Sequence, residues 1–345
     1  MNAHEIYMHR CLQLAQNGLG NVAPNPLVGA VLVHNQTIIG EGWHRQYGAA
    51  HAEVNCIQSV KPELRHLIAE STLYVNLEPC NHTGKTPPCT LLVLEQQIKK
   101  VVVGSTDPNP LVAGSGIARL RQAGVEVIEN ILPQECAVLN RRFFTFHQKK
   151  RPFVIVKMAQ SANGFMAPKG KQQQWLTNDI SKQLSHRWRS QEAAILIGKN
   201  TALIDNPQLT TRLWKGRNPL RILVDKKNEV PDSSNIFSTD ANTLVFNQTH
   251  SLQKEHIELQ QIEFTQNVPE QILHQLFLRN IQSVIVEGGP ATAHAFLQAN
   301  VADEVRLITA PCLLANGIAT PVFSGNLREQ FYLQQDMIQV FNLSS

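Results

Sequence analysis

Four residues have types and spacing that can do chemistry together: His51 and Glu53, then Cys80 and, after eight intervening residues, Cys89. Hydrolytic removal of an amino group needs hydroxide at neutral pH, and zinc supplies it by lowering the pKa of a bound water to about 7. A catalytic zinc keeps three protein ligands and one open position, which one imidazole and two thiolates provide. Glu53 follows His51 by two residues. Within a helix that spacing sets the side chains about 200° apart. At a helix start both still border one pocket, and Glu53 takes a proton from the water and returns it to a ring nitrogen and to the departing amine. A zinc that serves only structure has four closed protein ligands. Of the residues close enough to be a fourth, His82 is the one to keep in view, without strong placement. Cys80 and Cys89 as inert buried thiols, or as a disulfide in an exported chain, are the plainer alternatives.

The elements that must position these residues follow from periodicity. Residues 4–17 repeat apolar side chains at helical spacing, and Asn17-Gly18 closes that helix. Residues 27–33 read as a buried strand, Asn35-Gln36 as a turn and 37–40 as its hairpin partner. A short helix over 51–60, a strand over 72–77, a helix over 91–99, a strand over 101–104, a helix over 116–123 and a strand over 125–128 complete the first half. The spacing puts each cysteine at the carboxyl edge of the sheet, where helix N-termini help hold thiolates. The second half restarts at Arg151-Pro152. Its strands are expected over 153–159, 193–198, 220–225, 243–246, 283–287, 305–308 and 337–341, with helices over 179–189 and 291–298. Residues 226–265 are polar and read as loops around one or two strands. Strands alternating with helices at this rhythm predict layered α/β domains.

With 345 residues the chain exceeds the about 250–300 residues that one hydrophobic core supports. Two domains are expected, 1–147 and 148–345. The composition, 43% hydrophobic and 17% charged with net charge +4, is that of a folded globular protein rather than a disordered or nucleic-acid-binding one. Lys149-Lys150-Arg151 reads as a solvated linker. A secretory leader is not expected from the amphipathic N-terminal stretch, no apolar run approaches the about 20 residues of a membrane span, and six scattered cysteines read as reduced thiols in a cytoplasm.

His-x-Glu followed by Pro-Cys is the pattern of zinc deaminases, whose cysteines are commonly spaced C-x-x-C. The longer polar insert here carries His82 and Lys85 and reads as a substrate-binding element for a phosphate, with a plain solvent loop as the alternative. Taken with Pro24-Asn25-Pro26-Leu27-Val28-Gly29, Asp107-Pro108-Asn109-Pro110, Lys157-Met158-Ala159-Gln160-Ser161, Gln174-Trp175-Leu176-Thr177, the run from Asp205 to Arg212 and Val286-Glu287-Gly288-Gly289-Pro290, the strings resemble, over nearly the whole chain, the bifunctional pyrimidine deaminase–reductase family of bacterial riboflavin biosynthesis. The resemblance implies an N-terminal cytidine-deaminase-like three-layer α/β/α domain and a C-terminal dihydrofolate-reductase-like α/β domain. It implies zinc-dependent hydrolytic deamination of 2,5-diamino-6-(5-phosphoribosylamino)pyrimidin-4(3H)-one, then NADPH-dependent reduction of the ribosyl group to ribityl. One Zn2+ per chain, NADPH, a phosphorylated pyrimidine substrate, no nucleic acid, no membrane and a homo-oligomer (dimer or tetramer) follow from it.

Carried over residue by residue, His51, Cys80 and Cys89 are implied zinc ligands and Glu53 the proton carrier. Asn25, His44, His82, Lys85, Asp107 and Asn109 are implied deaminase substrate contacts. In the reductase, Ala159, Trp175, Thr201, Asp205, Lys226 and the run Gly289, Pro290, Ala291, Thr292, Ala293, His294 and Ala295 match cofactor positions. Lys157, Gln173, Arg189, Leu209, Arg212 and Glu287 match substrate positions. The sequence departs from the family at Gln173, where a small hydroxyl residue is usual, at Lys226, where Ser is common, and at Asn163, where an Asp is usual.

The second site is also readable from its residues. Glycines between a strand and a helix at Gly288-Gly289 let backbone approach a pyrophosphate at a helix N-terminus. No complete G-x-G-x-x-G follows a strand, Gly114-Ser115-Gly116 included, so a Rossmann site is disfavoured. Arg189 and Arg212 are expected to fork onto the substrate phosphate, and Trp175 either walls the cofactor site or sits in the core. Three other readings compete. A nucleic-acid base deaminase would need a basic, aromatic-lined groove, against 6% aromatic residues. A binding protein with a structural zinc would find Glu53 dispensable. A chain with one active domain would lose the reductase first, at Gln173 and Lys226.

Overall fold

In the strand beginning at Gly29, successive side chains go to opposite faces, and both faces are dry. Ala30 and Leu32 pack with Leu73, Val75, Val101 and Val103, while Val31 and Val33 pack with Tyr74 and Val102. A sheet apolar on both sides must be covered on both sides, and the computed structural model, which describes residues 2–84, 87–110, 112–170 and 175–343, shows how. The chain divides into two units, Met1–Lys150 and Arg151–Ser345.

The first unit runs α1 (Ala3–Gln16), β1 (Gly29–His34), β2 (Thr37–Trp43), α2 (Ala52–Gln58), β3 (Thr72–Val75), α3 (Cys89–Glu95), β4 (Lys100–Val103), α4 (Ser115–Gln122), β5 (Glu126–Ile128), α5 (Pro133–Leu139) and α6 (Arg141–Lys149). The sheet order is β2-β1-β3-β4-β5, with β1 antiparallel to both neighbours and β3, β4 and β5 parallel. Helix α1 starts in a reciprocal cap, Asn2 accepting from the Glu5 amide at 3.0 Å and Glu5 accepting from the Asn2 amide at 2.9 Å. It covers one face with α5, through Met8, Cys11, Leu12 and Cys136. Helices α2, α3 and α4 cover the other through Cys56, Val93, Ile117 and Leu120. This is the expected α/β/α sandwich, and its parallel strands deliver their carboxyl ends to one edge. The periodicity did not reveal the 3-10 helix Pro62–Glu70, nor α5 and α6. The basic cluster that ends α6 is not all solvated linker either, because Arg151 forks onto Asp303 at 2.6 and 2.9 Å, with both side chains largely buried.

The second unit runs β6 (Phe153–Ser161), β7 (Phe165–Ala167), α7 (Asp179–Gln191), β8 (Ala194–Gly198), α8 (Lys199–Asp205), β9 (Leu220–Val224), β10 (Thr243–Asn247), β11 (Leu252–Lys254), β12 (Ile257–Gln261), α9 (Val268–Leu278), β13 (Ser283–Val286), α10 (Pro290–Gln298), β14 (Glu304–Ala310), β15 (Ile318–Ala319), β16 (Asn326–Leu333) and β17 (Asp336–Asn342). Ten strands form one sheet in the order β11-β12-β10-β9-β8-β13-β6-β14-β17-β16, parallel from β12 to β14 and antiparallel at both edges. Alternation again splits the core. Val154, Val156, Leu196 and Val286 pack with α9 and α10, whereas Ile155, Ile195, Ile197 and Ile285 pack with Trp188 of α7 and Ala202 of α8. The polar stretch 226–265 holds three strands: β10, expected at 243–246 and fully buried, and the unexpected β11 and β12 at the sheet edge, whose exposed or half-exposed residues lack the apolar runs that betray buried strands. Residues 199–205 and 268–278 are helical where no helix was expected. All six cysteines are free thiols, and no helix among the described residues is long and apolar enough to cross a membrane.

Candidate active sites

At the carboxyl edge of the first sheet, one donor atom each from His51, Cys80 and Cys89 lies within 4.8 Å of the others. His51 is not inside α2 but caps it, with extended backbone (ψ 168°), so the helical separation from Glu53 does not apply. Glu53 enters the first turn, is 3% exposed, and its carboxyl group shares a hydrogen bond with the Cys89 thiol. Cys89 is the first residue of α3, and its amide donates to the Cys80 sulfur at 3.4 Å. Only Cys89 therefore starts a helix, and Cys80 lies in the loop before it. His51 Nδ1 is 3.3 Å from one sulfur and 3.5 Å from the other. Cys80 is pushed down to about 4 by hydrogen bonds from the Cys89 thiol and His51, while Cys89 is pushed up. Burial, with the Cys80 charge beside it, raises Glu53 above the usual carboxylate range. Three soft or borderline donors converging with one buried carboxyl suit a zinc ion with an open position; His82, exposed in the insert, is not part of the converging group.

Beside this cluster His44 packs edge-on against His51, centroids 5.3 Å apart. Its Nδ1 faces the Ala50 carbonyl at 3.0 Å, which can only accept, so Nδ1 carries the hydrogen. Nε2 is then the acceptor, and the Asn25 amide donates to it at 3.1 Å. Burial lowers the His44 pKa and favours this neutral tautomer.

A residue not singled out from the sequence organises the other wall. Glu78, 4% exposed, accepts from four backbone amides: Asp107 at 3.2 Å, Gly114 at 2.9 Å, Gly116 at 2.8 Å and Ile117 at 3.2 Å. Its carboxylate thus ties the loop carrying Asp107 and Asn109, and the start of α4, to the strand end that carries Cys80. Gly116 is required there, since a Cβ would lie 2.1 Å from the Pro79 carbonyl oxygen. Asp107 accepts from the Asn109 amide at 2.8 Å and is pushed up to about 6 by burial, aided by the Glu78 charge. An acid directly after the expected strand 72–77 and before Pro-Cys was the available signal.

In the second unit two cavities, of about 450 and 680 Å³, adjoin at the carboxyl ends of β6, β8 and β13 and share Lys157, Ala159, Thr201, Asp205 and Glu287 in their walls. Ligands of open α/β sheets bind at this edge. The larger cavity is lined by Gly289, Pro290, Ala291, Thr292 and Ala295 at the start of α10. Helical geometry turns Ala293 into the core and His294 out to solvent, so these two lie off the cavity. Gly288 is needed for a reason inside the protein, because a Cβ would meet the Thr292 side chain at 2.5 Å, whereas Gly289 donates its amide to Thr201 Oγ1 at 2.9 Å. Lys226 lines neither cavity and points its ammonium at the Phe264 ring, 5.9 Å away.

The smaller cavity is lined by Trp175, His186, Arg189, Leu209 and Arg212. Trp175 is 64% exposed, which excludes the core reading, and Lys182 stacks over it at 4.9 Å. Leu209 buries its side chain from a left-handed backbone, φ 58°, uncommon for leucine. Arg189 does not offer its fork to a ligand: Nε and NH2 grip Glu287 at 2.9 and 2.8 Å, and Lys157 Nζ adds a third contact at 3.8 Å. Arg189 and Lys157 overcome the burial of Glu287 and hold it down at about 2, while burial lowers Lys157. Asn163, the departure from Asp, both accepts from the Leu314 amide at 3.1 Å and donates to its carbonyl at 2.8 Å, a pair of roles a carboxylate cannot fill. Lys85 and Gln173 lie outside the described residues.

Two family models match the chain: the cytidine and deoxycytidylate deaminase zinc-binding region over residues 1–105, and the RibD C-terminal domain over 152–342. The chain is 38% identical over 337 residues to the riboflavin biosynthesis protein RibD of Actinobacillus pleuropneumoniae, covering 92% of this chain and 86% of that protein. It is 37% identical over 352 residues to RibD of Synechocystis sp., covering 100% and 92%. Among solved structures, a diaminohydroxyphosphoribosylaminopyrimidine deaminase/5-amino-6-(5-phosphoribosylamino)uracil reductase of Thermotoga maritima superposes with a TM-score of 0.90 at 36% identity, covering 99% of each chain. RibD of Acinetobacter baumannii follows with 0.88 and 30%, again over 99% of each.

Proposed function

We propose, for a chain that belongs to the RibD family of bifunctional riboflavin-biosynthesis deaminase–reductases, the pair of reactions by which its Thermotoga relative is named: deamination of the diaminopyrimidine phosphoribosyl compound, then reduction of the resulting aminouracil. The observation that carries this reading is the convergence of His51, Cys80 and Cys89 beside a buried Glu53. Those three residues would hold zinc, which when bound supplies the Lewis acidity that activates water at neutral pH. Glu53 takes the proton and returns it, first to the ring and then to the amine that leaves as ammonia. Asn25, its NH2 committed to His44, turns a carbonyl oxygen to the pyrimidine as acceptor. Asp107 and Asn109 face the substrate on the loop that Glu78 holds.

In the second unit the α10 turn and the larger cavity suit NADPH, which when bound supplies the hydride. The smaller cavity takes the phosphoribosyl uracil. Arg212, exposed and outside the Glu287 pair, takes its phosphate. Lys157, standing in the wall common to both cavities, gives the proton to the ring oxygen as hydride adds at the sugar carbon and the ribosyl opens to ribityl. Assembly into a dimer or tetramer in the cytoplasm belongs to the same reading, and light scattering checks the assembly.

The test is Glu53→Gln. It should retain zinc by metal analysis and lose ammonia release by about 10²- to 10⁴-fold, while NADPH oxidation with the deaminated compound continues. Ammonia release near the wild-type rate would overturn the assignment.

A further inference from the structure

One buried group in the smaller cavity of the second unit has work left to do. Helix α7 lines that cavity with Lys182, Ser185, His186 and Arg189, the i, i+3, i+4, i+7 stripe of a single helical face. His186 sits in the middle of the stripe, is 4% exposed, and its Nδ1 is buried with no hydrogen-bond partner among the described residues. The Thr210 backbone also interacts with the ring. With the single hydrogen of the neutral ring on Nε2, Nδ1 is a pure acceptor. Arg189 and Arg212 face the ring, as does Glu287, and burial with the two guanidinium charges pushes the imidazole down to about 4. A neutral acceptor left unpaired inside a protein costs stability, and native structures keep few of them without a reason.

We propose that His186 reads the substrate of the reductase half: its Nδ1 accepts a hydrogen bond from a hydroxyl of the phosphoribosyl chain. A phosphate oxygen is itself an acceptor and cannot serve, and the guanidinium of Arg212 is there for it. The sugar hydroxyls lie next to that phosphate along the ligand, as His186 lies next to Arg212 in the wall. Cations alone would hold any phosphate. The imidazole selects one that carries a hydroxylated chain. The inference rests on the substrate reading above and assigns one more contact within it.

His186→Leu tests it in the full-length protein. The expected result is a KM for the phosphoribosyl aminouracil raised about tenfold, the worth of one ordinary hydrogen bond, with the KM for NADPH and ammonia release unchanged. Ribose 5-phosphate should weaken about equally as an inhibitor of NADPH oxidation, while inorganic phosphate inhibits as before. The ligand-free Tm should stay close to wild type, because the unpaired acceptor is lost together with the ring's interaction with the Thr210 backbone. His186→Asn, whose amide oxygen stands near the place of Nδ1, should recover most of the affinity. A lowered Tm with unchanged KM would make His186 merely structural and overturn the proposal. A raised substrate KM with unchanged inhibition by ribose 5-phosphate would move the donor to the pyrimidine and overturn the sugar assignment. If the wild-type protein itself fails to oxidise NADPH with the aminouracil, the fault lies in the substrate reading and not in His186.

Discussion

Each unit buries a glutamate just beyond the carboxyl end of a strand, Glu78 after β3 and Glu287 after β13, and the two are neutralised in opposite ways. Glu78 is met by four backbone amides and, among the described residues, by no side-chain cation. Glu287 is met by the Arg189 fork and the Lys157 ammonium. Backbone donors cannot leave without unfolding the loop that carries them, so Glu78 is a rivet that sets the distance between Cys80 and the loop of Asp107 and Asn109. Side-chain donors can be re-partnered, so Glu287 keeps two cations assembled and desolvated at the wall common to both cavities until a ligand competes for them. The first arrangement suits hydrolysis on a rigid metal template. The second suits a site that must admit two ligands, cofactor and substrate, in turn.

Removing the charges tests this contrast, and the largest effect is expected at Glu287. Glu287→Gln leaves Arg189 and Lys157 buried without a counterion, which should lower stability by about 3–5 kcal/mol in denaturant unfolding and abolish NADPH oxidation while sparing ammonia release. A variant as stable as wild type would show that the cations do not depend on this carboxylate. Glu78→Gln should cost less, about 1–3 kcal/mol, because the amide keeps one acceptor oxygen and turns its NH2 against two N–H donors. Zinc content should hold and the deaminase KM should rise, since the Asp107 loop moves and the ligands do not. Loss of zinc would mean that Glu78 supports the metal centre rather than the loop. Arg212→Ala should be the mildest, with Tm unchanged, a KM for the phosphorylated substrate up by about tenfold, and deamination intact. Equal loss of both activities would contradict separate sites.

Much of this was legible before any coordinates, and the particular residues show why. The strand periods at 27–33, 72–77, 101–104 and 153–159 report burial on both faces directly, because a side chain's face depends on its own position in the strand. The helices over 133–149 and 268–278 were missed, the first two because each is short and they break at Asn140, the last because it lies beyond a long polar stretch. The candidate zinc ligands were found from residue type and local grammar, His-x-Glu and Pro-Cys. The insert's length was read from the chain, but Lys85 lies outside the described residues. At Arg189 the outcome differed from the expectation, since nothing near it in the chain announces Glu287, 98 residues away.

By itself the sequence determined the donor chemistry of the first centre, the layered α/β class and the membership of two catalytic units, since each follows from residue identity at short range. Only the tertiary structure decided that His51 caps its helix instead of lying within it, that Glu78 gathers amides from 29 to 39 residues downstream, that the Arg189 fork belongs to Glu287, and that His186 Nδ1 meets no partner among the described residues. These are long-range pairings of polar groups. Which donor meets which acceptor is settled by the packing of the sheets, after the local pattern has already been satisfied.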